Sequence, residues 1–215
     1  PKRLYVGQKG YVPHLDLERK DAFTPGKNPL FEHVEVQFFL ARRAGRIVGR
    51  IAAQVDRAYL ERYADGTGHF GCLAAEDDPA IFAALFAAAE GWLKGKGLVR
   101  ATGPFSLSVN EEVGLLIDGF ESRPVLMVPW DPPYAGGRVE ACGYRKVKDL
   151  FSYDYDVQNA PETIGAKLLA RAGMANRVKG RTANMKIFDP EVRTLVGVFN
   201  DAWSDNWGFA PFTQA

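Results

Sequence analysis

The chain has 215 residues, 47% hydrophobic and 25% charged, the balance of an ordinary folded protein rather than a disordered or fibrous one. Its 27 basic and 26 acidic side chains leave a formal net charge of +1, and the basic residues are scattered, so no footprint for nucleic acid or an anionic membrane is present. The longest apolar run, 80–93, is interrupted by Glu90 and Gly91 and falls short of the roughly 18 residues of a membrane span, so no transmembrane segment is expected.

The chain opens on Pro1 in place of an initiator Met and shows no signal-like segment, which reads as a trimmed N-terminus. Next comes "YVGQKGYVP" from Tyr5 to Pro13, an aromatic followed by Gly-aromatic-small-Pro. Residues 35–43 and 46–56, with Ala44-Gly45 between them, read as a hairpin, and 68–75 as a third strand. Residues 78–96 form the clearest helix: Asp78 caps, Pro79 suits the first turn, and Gly95 and Gly97 mark the end. Ile81, Phe82, Leu85, Phe86, Ala89, Trp92 and Leu93 share one of its faces. A strand at 98–102, a Gly/Pro/Ser/Asn-rich passage, a strand at 124–130, a helix inside 132–141 and a strand at 144–156 follow. Cys72 and Cys142 lack paired spacing and read as reduced, buried thiols of a cytoplasmic protein.

From Asn159 the character changes. Residues 159–173 look like a linker helix and 181–188 like a strand. Asp189-Pro190 starts a helix striped by Val192, Leu195, Val196, Phe199 and Trp203. The closing "WSDNWGFAP", Trp203 to Pro211, repeats the layout of Tyr5 to Pro13 and suggests a tandem duplication. The organisation read from these signals is a domain over 1–157, a linker over 158–180, and the beginning of a second domain over 181–215. Without that domain's own sheet, Trp203, Trp207, Phe209 and Phe212 are expected to fold back on the first domain, associate with another copy, or stay unordered.

"RIVGRI", the stretch "GHFGCLAAEDDPAIFAALFAAAEGWLKGKGLVRATGP" and "VEACGYRKVKDLFSYDYDV" together resemble the GNAT superfamily of acyl-CoA-dependent N-acyltransferases. The resemblance covers most of residues 34–157. It implies an α/β fold with a central, mostly antiparallel sheet flanked by helices, plus the first strand and helix of a second such domain. "LFEHVEVQFFLARRAGRIVGRI", "GPFSLSVNEEVGLLIDGF" and "NDAWSDNWGFAPFT" are similar to bacterial proteins with two GNAT-like domains, in which the second carries the acyl-CoA motif.

GNAT enzymes hold the CoA diphosphate on backbone amides of a [QR]-x-x-G-x-[GA] turn at a helix N-terminus. The equivalent turn here reads Ala74-Ala75-Glu76-Asp77-Asp78, whose carboxylates would repel it. Arg42 to Ile47 partly fits the pattern but belongs to the hairpin turn. The general acid of that family is a Tyr four residues before the Gly-aromatic turn, where this chain has Val139; Tyr134 lies a turn earlier and either serves there or anchors the helix start. Ser106, Ser108 and Asn110 alternate after Gly103-Pro104, and either line a substrate cleft or brace a loop. His69 sits where a substrate groove would open, or is a core histidine. No catalytic residue is assigned, no metal set is apparent, and no tightly bound cofactor is expected.

The resemblance implies transfer of an acyl group from acyl-CoA, as co-substrate, to an amine that is amino-acid-like or a long-chain lipid amine. This chain would be mainly the non-catalytic first lobe. The alternative is a non-enzymatic binding or assembly module on a degenerate GNAT-like fold, and a [QR]-x-x-G-x-[GA] match after Ala215 would decide between them.

Overall fold

The computed structural model describes residues 1–153 and 181–212, with 156, 158, 167, 170, 171 and 173 between them. In chain order the first elements are α1 (Lys2–Tyr5), α2 (Asp16–Ala22), β1 (Val34–Arg43), β2 (Arg46–Asp56), α3 (Arg57–Tyr63), β3 (Thr67–Ala75) and α4 (Pro79–Gly95). They are followed by β4 (Arg100–Thr102), β5 (Phe105–Ser106), β6 (Glu112–Val113), α5 (Ala135–Ala141) and α6 (Phe188–Trp203). The main sheet runs β1-β2-β3-β4; the first two pairings are antiparallel and β3-β4 is parallel, so the sheet is mixed, while β5 and β6 form a small antiparallel pair.

β2 and β3 are inner strands and their side chains are buried almost throughout. One face of the sheet carries α4. Asp78 accepts a hydrogen bond from the Ala80 amide at 2.8 Å and Pro79 occupies the first turn, so the helix starts where the sequence predicts. Its apolar stripe joins Val48, Ile51, Ala53 and Phe70 in the core, where Phe70 and Phe86 meet edge to face at 5.1 Å. Gly49 makes this packing possible, because a Cβ there would lie 2.9 Å from the Leu85 side chain. A smaller cluster of Ala52, Cys72 and Leu107 occupies the opposite face.

The expected strand at 124–130 is instead a run of turns. Pro124 and Pro129 cannot donate to a ladder, and Met127 is turned back by a φ of +65°. Residues 144–153 make no ladder either, and the end of that predicted strand lies partly outside the described residues, as does most of the linker helix read at 159–173. Residues 181–184 are irregular and lead into a 3-10 turn at Met185–Ile187, because the Asn184 side chain accepts from the Lys186 amide at 3.1 Å and turns the chain before a strand can form.

The chain divides into two compact units: Pro1–Lys146 together with the segment from Ala202, and Val147–Asp201. In the second unit α6 exposes Val192 and Leu195, and Arg181 forks onto Glu191 at 2.8 and 2.9 Å. The segment from Ala202 packs within the first unit. Arg62 donates to the Ser204 carbonyl at 2.6 Å and Tyr63 to that of Phe209 at 3.2 Å. Phe209 and Ala210 are buried, which removes Phe209 from the surface expected to self-associate; Trp203, Trp207 and Phe212 stay about half exposed.

Candidate functional site

A cavity of about 60 Å3 lies in the first unit, enclosed by the N-terminal segment, β2, β3 and the passages 104–114 and 124–131. Its aromatic wall comes from the motif at the start of the chain. Tyr5, Tyr11 and Trp130 pack mutually, with ring centroids 5.3–5.6 Å apart. The turn that brings Tyr11 there needs Gly10, with φ +82°, since a Cβ would stand 2.3 Å from the Phe120 carbonyl oxygen.

β2 and β3 supply the floor. Their pairing passes from Arg50–Ala74 to Ala52–Gly71, so β3 carries an extra residue and Cys72 takes a φ of +50° in a β-bulge. Strand alternation puts Arg50 and Ala52 on the face away from α4, the face of the Cys72 cluster. Cys72 donates its amide to the Ser106 hydroxyl at 2.9 Å, and burial pushes its thiol pKa up, which disfavours the thiolate. Burial pulls the Arg50 pKa down, and its Nε–H is buried with no hydrogen-bond partner.

Glu112 and His14 form the polar wall, and Arg19 holds them from behind. Arg19 ion-pairs with Glu112 and donates to His14 Nε2 at 2.6 Å. Burial, followed by the charge of Arg19, holds the His14 pKa down to about 4, so the ring is neutral near pH 7 and its 3.3 Å approach to Glu112 is not an ion pair. Asp131 lies deeper. It accepts from the Leu116 amide at 3.1 Å, and burial pushes its pKa up to about 7.

Of the candidate substrate-binding residues read from the sequence, only Ser106 lines this cavity. Ser108 accepts from the Asn110 amide at 3.0 Å, and Asn110 donates to the Ala210 carbonyl at 2.9 Å, so this pair braces the loop and ties down the C-terminal segment. His69 is packed between Tyr59 and Phe105, with Nδ1 2.9 Å from the Thr102 hydroxyl; burial lowers its pKa to about 4, and it is a core residue. Tyr134 donates to the Ala75 carbonyl at 2.7 Å while the Tyr5 hydroxyl accepts from the Ala75 amide at 3.1 Å, so the two phenols fix the end of β3. Arg50, His14, Glu112 and Asp131 escaped the sequence reading, although an arginine in the middle of the strand "RIVGRIAAQVD", between Gly49 and Ile51, was a visible signal for the first of them.

The acidic turn is not the bare cluster the sequence suggests. Glu76 pairs with Arg46 at 3.0 Å, Asp77 with Arg138 at 2.8 Å and Asp78 with Arg43 at 2.8 Å. Asp78 also occupies the helix N-terminus, so neither the cations nor the amides there are open to a diphosphate. Titration of the 215-residue chain with CoA is therefore expected to show no micromolar binding; a calorimetric dissociation constant in that range would contradict this reading of the turn. Among the described residues no acidic, His and Cys cluster could hold a metal ion, and no helix is long and apolar enough to cross a membrane.

Over its whole length the chain is 49% identical to a bacterial ceramide synthase of Caulobacter vibrioides, of which it covers 56%, and 41% identical to protein YghO of Escherichia coli, of which it covers 54%. It thus spans about half the length of the curated relatives it matches. No family model matches it, and no solved structure does.

Proposed function

We propose that the chain is one lobe of an acyltransferase built from two GNAT-like domains, which moves an acyl group from acyl-CoA to the amine of a long-chain acceptor. The observation supporting this is its 49% identity, in an alignment that spans the whole chain, with a protein named bacterial ceramide synthase. A ceramide is the amide of a fatty acid and a long-chain amino alcohol, so the name specifies N-acylation. The four-stranded mixed sheet with a long helix after β3 supports the α/β part of this reading, while residues 124–130 and 144–153, expected as strands, are not in that sheet.

In this reading 181–201 begins the second domain, which holds CoA, and the protein works in the cytoplasm among CoA thioesters. The amine nitrogen attacks the thioester carbonyl, the C–N bond forms and the C–S bond breaks. The sulfur leaves with the electron pair and takes up the proton lost by the amine, while backbone amides stabilise the oxyanion. The lobe described here closes its own diphosphate turn and contributes the Arg50 cavity as a subsite.

The test is to incubate the complete protein with an acyl-CoA and a long-chain 2-amino-1,3-diol, reading thiol release and amide mass together. One CoA per amide is the expected result. No amide across a range of acyl lengths and amines would overturn the proposal.

A further inference from the structure

Arg50 stands on an inner strand, on the face it shares with Ala52, Gln54 and the Cys72 cluster. Among the described residues no carboxylate forms an ion pair with it: of the two acids on the cavity, Glu112 is held by Arg19 and Asp131 accepts from the Leu116 amide. Its Nε–H, cut off from water, has no acceptor. A half-buried guanidinium with an unpaired, water-excluded N–H carries a desolvation cost, and proteins that keep one normally give it an anion.

The other groups around the cavity leave that anion to come from outside. The Tyr5 hydroxyl is engaged at Ala75, the His14 ring is uncharged near pH 7, and the Cys72 thiol stays protonated. Asp131 is turned to the Leu116 amide and carries little charge below about pH 7. Ser106 receives the Cys72 amide on an oxygen lone pair and turns its own O–H to the Cys72 thiol, a weak acceptor that an oxyanion would displace. Size restricts the ligand further. A water needs about 10–15 Å3 of such space, so a cavity of about 60 Å3 takes in a group of only a few heavy atoms.

We propose that this cavity binds a small oxyanion, the carboxylate or phosphate end of a substrate, with Arg50 as its charge partner and the Ser106 hydroxyl as a second donor. Its assignment to a substrate rests on the acyltransferase reading, whereas binding itself is measured without acyl-CoA, so the two can fail separately.

The experiment titrates the 215-residue chain with inorganic phosphate and with acetate, against chloride at equal ionic strength, by calorimetry and thermal unfolding. Saturable binding of at least one, with a melting point raised by several degrees, is expected; phosphate alone would identify a phosphate end and acetate alone a carboxylate end. Arg50→Gln should abolish the response, and Arg50→Lys, which keeps the charge without the fork, should weaken it at least tenfold. Arg50→Met, lacking the uncompensated charge, should melt no lower than the parent in anion-free buffer. Failure of both anions to saturate, unchanged binding in Arg50→Gln, or a melting point several degrees lower in Arg50→Met would each overturn the proposal.

Discussion

Gly71→Ala is expected to remove a large part of the first unit's stability. A Cβ at this position would lie 1.7 Å from the Phe105 carbonyl oxygen and 2.5 Å from its carbon, both backbone atoms that no rotamer change can move aside. That carbonyl is held in turn: it accepts from Gln54 Nε2 at 2.6 Å, and Phe105 pairs with Val113 in the small sheet. Making room means pushing β5 off β3, with overpacking worth about 1–3 kcal/mol and an orphaned buried amide on Gln54 worth about as much again. Against a usual stability of about 5–15 kcal/mol, the sum lowers the melting point by about 10 °C. A variant melting within two or so degrees of the parent, by roughly the same scaling, would show that β5 does not press on β3 as described.

Asp131→Asn is expected to change the dependence of stability on pH. In the folded protein burial raises the Asp131 pKa from 3.8 to about 7, so the native state binds this proton more tightly than the unfolded chain does. Stability from this group is complete below about pH 4 and is lost as pH rises towards 7, by an amount on the order of 4 kcal/mol for a shift of about three units. Asn cannot ionise, and its amide oxygen can still accept from Leu116. The variant should therefore match the parent near pH 4 and exceed it at pH 8 by several degrees in melting point. His69 acts in the opposite sense: its pKa falls to about 4, so its contribution is present above about pH 6.5 and fades as pH drops, equally in both proteins. Parallel melting curves from pH 4 to 9 would mean that Asp131 is not buried as described.

The legible part of the fold was the part whose signals are local. The hairpin, β3 and α4 announce themselves through β-branched and aromatic runs, a capping Asp78 followed by Pro79, and a continuous helical stripe, and they form close to the predicted limits. Where apolar composition had to stand for a strand partner, the reading failed. "PVLMVP" has the hydrophobicity of a strand, but its two prolines and the reversal at Met127 leave it as turns, with Leu126 89% exposed. The short helices α1, α2 and α3 carry no strong periodicity and depend on what they pack against.

The candidate site was less legible still, because its members come from the N-terminal segment, two strands and two loops that only the fold brings together. Hydroxyl-rich "SLSVN" drew attention as a cleft, yet Ser108 and Asn110 spend their polar groups on the loop and on Ala210. Arg50 stood in plain view within β2, but a strand arginine becomes informative only once the structure shows its Nε–H buried without an acceptor among the described residues. The three acids at 76–78 likewise looked like a repulsive patch until Arg46, Arg138 and Arg43, distant in sequence, proved to be their partners.

The most direct test of the account measures acyl transfer by the complete protein with Arg50 intact and with Arg50→Gln, each checked for an unchanged far-ultraviolet spectrum and unchanged CoA affinity. If this lobe holds the polar end of a substrate for N-acylation, amide should form with the parent, and kcat/KM should fall at least tenfold in the variant while CoA binding is retained. Equal kcat/KM in the two proteins would contradict the account, because the cavity would then have no part in the transfer.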